Sequence, residues 1–403
     1  MSAEKIEPRS PAELSALTSF DFHSRTRLIF GNDSVERVGE LATGLPAKKI
    51  LLVTDKGIVS AGHAERVRKF LEKENLAVFV FDSVQENPTT HTVDECLKVA
   101  RENQIDAFVG LGGGSSMDTA KGCNFLLTNG GEMKDYWGVG KATKPMLPLI
   151  AIPTTAGTGS ECQSAALIAD EITHQKMACL DPKAAARIAI LDPLLTLSQP
   201  ARVTACTGID ALAHALETAV TTKRNPLSEL YSREAFRLIA QNFEEILRRP
   251  QNIEARGKML LGAAFAGTAI ENSMLGAVHA AANPLTAHFG IAHGQAVGML
   301  LPQVVAFNAS EAMVREIYRS LFVSAKVLSA DEKNPVKKIG AWLNGILHAA
   351  EMPASLEECG VVAAAIPNLA LEAAGQWTAR FNPRPVGASD FEAFYRAAFR
   401  QTN

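Results

Sequence analysis

An alternation that stops halfway along the chain limits most sharply what it can fold into. Residues 49–54, 77–81, 107–111 and 147–152 are short apolar runs, and residues 63–75 and 92–103 between them carry helical periodicity. Apolar strands joined by helices specify a parallel sheet covered on both faces. After Leu191-Asp192-Pro193 and Pro200 the pattern changes. Residues 217–219, 227–242, 253–270 and 310–328 read as helix, with few β-branched runs. The expected fold is therefore an α/β N-terminal domain with a parallel sheet over residues 1–199, followed by an all-α domain over residues 200–403.

Composition narrows the partners. The 40 basic and 43 acidic residues leave a net charge of -3, and the basic ones form no runs, so no attraction to nucleic acid is expected. The longest apolar stretches, residues 146–152 and 296–306, are short or interrupted by proline, so no membrane span is expected. Residues 1–8 lack a basic segment leading into an apolar one, and the expected location is cytoplasmic. Cys96, Cys123, Cys162, Cys179, Cys206 and Cys359 form no CxxC pair and are expected to be reduced.

Two loops point to a nucleotide. Gly112-Gly113-Gly114-Ser115 follows an apolar run and opens a helical segment containing Asp118 and Lys121. Glycines let the backbone approach a pyrophosphate, and a helix N-terminus offers it free N–H groups; the same glycines also serve plain turns. The segment from Pro153 to Glu161, Pro-Thr-Thr-Ala-Gly-Thr-Gly-Ser-Glu, also follows an apolar run and is dense in hydroxyls and glycines. Two such loops at strand ends suit a dinucleotide bound in a crevice. Asp55 ends the first run, where a carboxylate either bonds a ribose 2′-hydroxyl, favouring NAD over NADP, or caps a helix.

The helical half carries a different signal. Asp210 and His214 are spaced i, i+4 within small apolar residues, so they share one helix face. A surface pair is one reading. A buried carboxylate in that setting needs a cation, which is the other. His279 and His293 lie fourteen residues apart, about 21 Å along one straight helix, too far to share an ion. Pro284 and Gly290 lie between them, so a shared metal requires two converging helices and a loop near residues 289–292. One carboxylate with imidazoles suits Fe(II) or Zn(II). Such a metal keeps an open position and acts as a Lewis acid. His23, His63, His91, His174 and His348 read as ordinary structural or surface residues.

These pieces together resemble the iron-containing (group III) alcohol dehydrogenase family. The resemblance is carried by Gly112-Gly-Gly-Ser-x-x-Asp-x-x-Lys121, Pro153 to Glu161, Thr207-Gly-x-Asp-Ala-Leu-x-His214 and His279 to His293-Gly. Smaller matches at Ile190-Leu-Asp-Pro193, Thr222-x-x-Asn-Pro226 and Asn382-Pro-Arg384 follow in order, spanning roughly residues 28 to 385. It implies an α/β dinucleotide-binding domain and an all-helical metal domain with a cleft between them. It implies NAD and Fe(II) as cofactors, with Zn(II) possible. It implies Asp210, His214, His279 and His293 as metal ligands, Gly112, Gly113, Gly114 and Ser115 at the pyrophosphate, with Asp118 in the same motif, and Asp55 near the adenosine ribose. Thr154, Thr155, Thr158 and Lys176 match positions lining the cofactor cleft. Many members carry a histidine four residues after the third ligand; here that position is Asn283, which does not titrate near neutral pH. His288 is the candidate substitute in proton relay, with a surface or cleft residue as the alternative.

The expected reaction is reversible hydride transfer between a small-molecule alcohol or aldehyde and NAD. The rivals are a polyol dehydrogenase, a dehydroquinate-synthase-like cyclase and an inactive NAD- or metal-binding protein. A homo-oligomer, dimer or larger, is expected, with residues 27–30 as an edge strand for pairing. Gln163, Phe265, His288, Phe289 and Trp377 are candidate pocket residues.

Overall fold

The computed structural model describes residues 19–173, 175–353 and 355–399; His174 and the N-terminal residues 1–8 lie outside them. Six strands, β1 (Arg27–Phe30), β2 (Lys49–Val53), β3 (Ala77–Phe81), β4 (Ala107–Gly112), β6 (Leu149–Pro153) and β9 (Ile188–Leu191), form one parallel sheet in the order β1-β9-β6-β4-β2-β3. Every residue of β4, β6 and β9 is buried, as a doubly covered parallel sheet requires. Helices α1 (Val38–Thr43), α2 (Lys56–Ser60), α3 (His63–Lys73), α4 (Thr90–Glu102) and α5 (Gly114–Asn129) accompany these strands. Two apolar clusters, one built around Leu51, Phe108 and Met117 and the other around Ile50, Leu52 and Val67, take up alternate side chains of β2.

The strands expected from the sequence occur within two residues of their expected ends. Residues 188–191, where the sequence marks only the end of the α/β half, form β9, which sits between β1 and β6. β1 is an edge strand, as expected. A second sheet of three strands, with β5 (Gly138–Val139), β8 (Lys176–Leu180) and β7 (Ala165–Ala169) in that order, goes beyond what the sequence pattern predicts.

From Ala201 the described chain is helical. α6 (Ala201–Val220), α7 (Pro226–Arg248), α8 (Ile253–Glu271), α9 (Ala277–Phe289) and α10 (His293–Asn308) are followed by α11 (Ala312–Ser324), α12 (Pro335–Ala349), α13 (Ile366–Gly375) and α14 (Ala388–Phe399). These helices share one apolar core. The two converging helices required by a shared metal are α9 and α10, joined by residues 290–292. Pro284 does not make the break: α9 runs through it and ends at Gly290, whose φ of 63° terminates a helix readily.

Candidate active site at the junction of sheet and helices

Strand order reverses between β2 and β4, because the chain passes from β2 outward to β3 and then back across to β4. Ligands of open α/β sheets sit at such a reversal, beyond the strand C-termini. Asp55 follows β2 there, and Gly112-Gly113-Gly114 follows β4. Of the two readings of Asp55, the helix cap is seen directly. Its Oδ1 accepts the Ile58 N–H at 3.0 Å and caps α2. Its Oδ2 lies 3.4 Å from the space a Cβ at Gly112 would fill, and the residue lines the cleft. Gly112 has φ 146°, where side chains are strained, and a Cβ would also meet Ser116. A Cβ on Gly114 would fall 2.9 Å from Thr158 Cγ2, so the glycine loop and the threonine loop are in contact.

The glycines of that second loop have another purpose. A Cβ at Gly157 would run into Thr207 of α6, and one at Gly159 would lie 2.6 Å from Gly267 Cα of α8. They let the sheet half and the helical half touch backbone to backbone. Between the halves lies a cleft of about 1340 Å³. Gly113, Gly114, Ser115, Thr154, Thr155 and Thr158 line one side, and Asp210, His214, His279 and His293 line the other. Thr155 Oγ1 is buried there without a hydrogen-bond partner. A buried hydroxyl left unmatched costs about 1–3 kcal/mol, so these atoms suit a polar ligand.

At the helical wall, three imidazoles converge on one carboxylate oxygen. Asp210 Oδ1 lies 3.4 Å from His214 Nε2, 3.3 Å from His279 Nε2 and 3.7 Å from His293 Nε2. Donor atoms of Asp210, His279 and His293 all lie within 4.8 Å of one another, and the His214 ring stacks on His279. Burial opposes ionisation of Asp210, but the three histidines hold its carboxyl far below the usual range. Burial also opposes protonation of His279, yet the Glu217 and Asp210 carboxylates raise it to about 9. Burial pushes His293 down to about 3 against the pull of Asp210. The cluster is thus arranged to retain one positive charge among imidazoles facing buried carboxylates, and the donor set fits a divalent cation.

Residues 25–193 match the iron-containing alcohol dehydrogenase family, and residues 204–399 match the C-terminal part of the Fe-containing alcohol dehydrogenase family. The chain belongs to the iron-containing alcohol dehydrogenase family. It is 32% identical to a 1,3-propanediol dehydrogenase of Klebsiella pneumoniae over 94% of this chain and 99% of that one. It is 33% identical to an NAD-dependent methanol dehydrogenase of Bacillus methanolicus, over 92% and 97%. A solved 1,3-propanediol oxidoreductase superposes with a TM-score of 0.91 at 32% identity, covering 95% of this chain and all of that one. As an iron-containing alcohol dehydrogenase, the protein is an oxidoreductase that uses NAD and iron.

Not every site residue expected from the sequence faces the cleft. His288 sits nine residues after His279, about half a turn round the helix at 3.6 residues per turn. It is exposed, pairs with Glu372 at 2.7 Å and is not among the residues lining the cleft. Asn283 donates to Gln376 Oε1 at 3.1 Å and is not among the cleft-lining residues. Thr286, two turns beyond His279 on the same face, does line the cleft, with a buried Oγ1 that has no partner. Asp118 borders the cleft, but its carboxylate accepts the Ser160 hydroxyl at 2.8 Å and the Leu167 N–H at 3.2 Å, tying α5 to the second sheet. Lys176 lines the cleft. Of the candidate pocket residues, Gln163 lines it; Trp377 packs on Phe381.

Sequence patterns point to neither Glu217 nor the state of Glu161. Glu161 is 1% exposed, its Oε1 has no partner, and burial lifts its carboxyl to about 7 despite Lys121 nearby. A folded value above the unfolded 4.5 means that stability is intact below about pH 4.5 and is lost as pH rises through 7. Glu161→Gln, which mimics the protonated form, is therefore expected to be more stable than the parent at pH 8 by about 3 kcal/mol, since each tenfold change in proton affinity is worth about 1.4 kcal/mol. Urea unfolding at pH 5 and pH 8 measures this. Equal differences at the two pH values would contradict it.

Proposed function

We propose that Asp210, His214, His279 and His293 hold the iron and that NAD lies across the facing wall. The convergence of three imidazole Nε2 atoms on Asp210 Oδ1, opposite the glycine loop, carries this reading. Gly113, Gly114 and Ser115 open α5, whose N-terminus favours the pyrophosphate. Asp55 Oδ2 is left free by the cap to take a ribose hydroxyl and to repel a 2′-phosphate. Thr154, Thr155, Thr158 and Lys176 orient the rest of the dinucleotide. When bound, iron supplies a Lewis acid for the substrate oxygen, and NAD supplies the hydride acceptor.

The substrate is a small alcohol or aldehyde. A cyclase acting on a phosphorylated compound would need several cations beside the metal; the cleft lining carries Lys56, Lys176 and Arg202, and of these Lys176 is the cation that lowers the pKa of His293. We divide the chain functionally at Pro200, into a dinucleotide half (1–199) and a metal half (200–403). We further propose a dimer paired through the free edge of β1, where Leu28 and Phe30 are 37% and 49% exposed. No described helix is long and apolar enough to cross a membrane. Six free thiols support a reducing compartment, the cytoplasm.

Anaerobic NADH oxidation against a panel of aldehydes tests the reading, using apoprotein loaded with Fe(II), Zn(II) or nothing. Turnover is expected only with metal, and NADPH is expected to serve at least about tenfold less well, a difference of about 1.4 kcal/mol. Full activity in the metal-free protein would overturn the assignment.

A further inference from the structure

α9 carries His279 in its first turn, yet its own sequence provides no cap. Residue 276 is glycine, with no side chain to accept the first N–H groups. A larger residue would press on its neighbours, because a Cβ there would lie 3.1 Å from both Glu217 Oε1 and Asn382 Oδ1. Those two side chains replace the cap from outside the helix. Asn382 Oδ1 accepts the Ala277 N–H at 3.4 Å, and Glu217 Oε1 accepts the Val278 N–H at 2.7 Å. The other oxygen of Glu217 accepts from His279 Nδ1. Asn382 is itself held by a reciprocal pair of bonds with Asn308, at 3.0 and 2.7 Å.

Glu217 is 4% exposed and stands at i+7 from Asp210 and i+3 from His214, on the same face of α6. One helix face thus carries two groups aimed at the metal and a third that grips a ligand arriving from another helix. When His279 gives up its Nε2 proton to bind a metal, Glu217 keeps the remaining proton on Nδ1, so that Nε2 offers its lone pair, and it fixes the ring plane as well. A carboxylate behind a ligating imidazole also makes that imidazole a stronger donor. We infer that Glu217 is a positioning residue that locks His279 for coordination and sets how firmly the enzyme retains iron.

This inference rests on the metal assignment proposed above, and the test separates the two. Fe(II) is titrated anaerobically into apoprotein of the parent, Asp210→Ala, Glu217→Gln and Asn382→Ala, and thermal unfolding of each apoprotein is recorded. Glu217→Gln keeps size and one acceptor but places an amide where the second acceptor is needed. Its iron dissociation constant is expected to rise about 10- to 100-fold. Asn382→Ala disturbs the same helix start without touching His279, and is expected to lower the unfolding temperature while changing iron affinity by less than about threefold. If Asp210→Ala binds Fe(II) as well as the parent does, the metal assignment fails. If Asp210→Ala loses Fe(II) while Glu217→Gln matches the parent, Glu217 is only a structural cap and the inference is overturned. Should Glu217→Gln not fold, Glu217→Asp decides in the same titration, since its shorter carboxylate cannot hold both Val278 and His279; parental affinity there refutes the proposal.

Discussion

His279→Ala is expected to reduce kcat/KM for metal-dependent aldehyde reduction by at least about a thousandfold, some 4 kcal/mol of transition-state stabilisation. The substitution takes one of three imidazoles from around Asp210 Oδ1 and leaves Glu217 Oε2 buried with nothing to accept from. The glycine loop and Asp55 lie on the opposite wall, so NADH affinity should fall by less than about threefold, which corresponds to under 1 kcal/mol. The circular dichroism spectrum should be unchanged, since His279 sits in the first turn of α9 and α9's start is capped by other side chains. Steady-state kinetics and NADH fluorescence titration on the same preparation provide the check. Parental turnover in this variant would remove His279 from the ligand set.

Gly294→Ala should be nearly as damaging, through packing alone. A Cβ at Gly294 would be driven into the backbone of Cys206, 2.6 Å from its carbonyl carbon and 2.9 Å from its Cα. Backbone inside a helix cannot rotate aside as a side chain does, so α10 must shift away from α6. His293 is the adjacent residue and already makes the longest of the three approaches to Asp210, at 3.7 Å. Stability is expected to fall by about 1–3 kcal/mol and iron-dependent kcat/KM by about a hundredfold, roughly 2.7 kcal/mol. Gly340→Ala is the matched control. It adds the same methyl group in α12 where nothing lies within 4 Å, and should be neutral or stabilising by about 0.5–1 kcal/mol. Equal behaviour of the two variants in urea melts and activity assays would refute the packing effect.

What the sequence revealed, and what it withheld, follows from how local each signal is. β2, β4 and β6 were legible because they are apolar on both faces and end at turn-forming residues. β9 is four residues long, β7 is three-fifths alanine, and β8 is five residues opening on a lysine, so periodicity does not separate them from loop. Asp210 and His214 could be read because their spacing is fixed by one helix. Glu217 lies on that same face, but its partner is 62 residues away, and only the folded arrangement of α6 and α9 shows why a carboxylate belongs there. His288 is close to His279 and His293 when residues are counted along the chain, but the rotation of α9 turns it outward toward Glu372. The glycines of the threonine loop look like a phosphate signal by composition. Gly157 and Gly159 instead answer to Thr207 and Gly267, which are contacts invisible without the other half of the molecule.

The place of β9 between β1 and β6 has a consequence for synthesis. β1 emerges from the ribosome early, but its one partner strand among the described residues lies about 160 residues downstream. Until that strand arrives, Leu28 to Phe30 present an open, apolar edge, the kind of surface that recruits other nascent chains. A contact spanning so much chain also closes slowly, because the intervening loop must be ordered first. The sheet therefore completes only after nearly all of the α/β half has been translated, and helices α6 to α10 assemble against a platform that has only just closed. Errors in building this enzyme should concentrate at β1, on a strand that contributes no residue to the cleft lining.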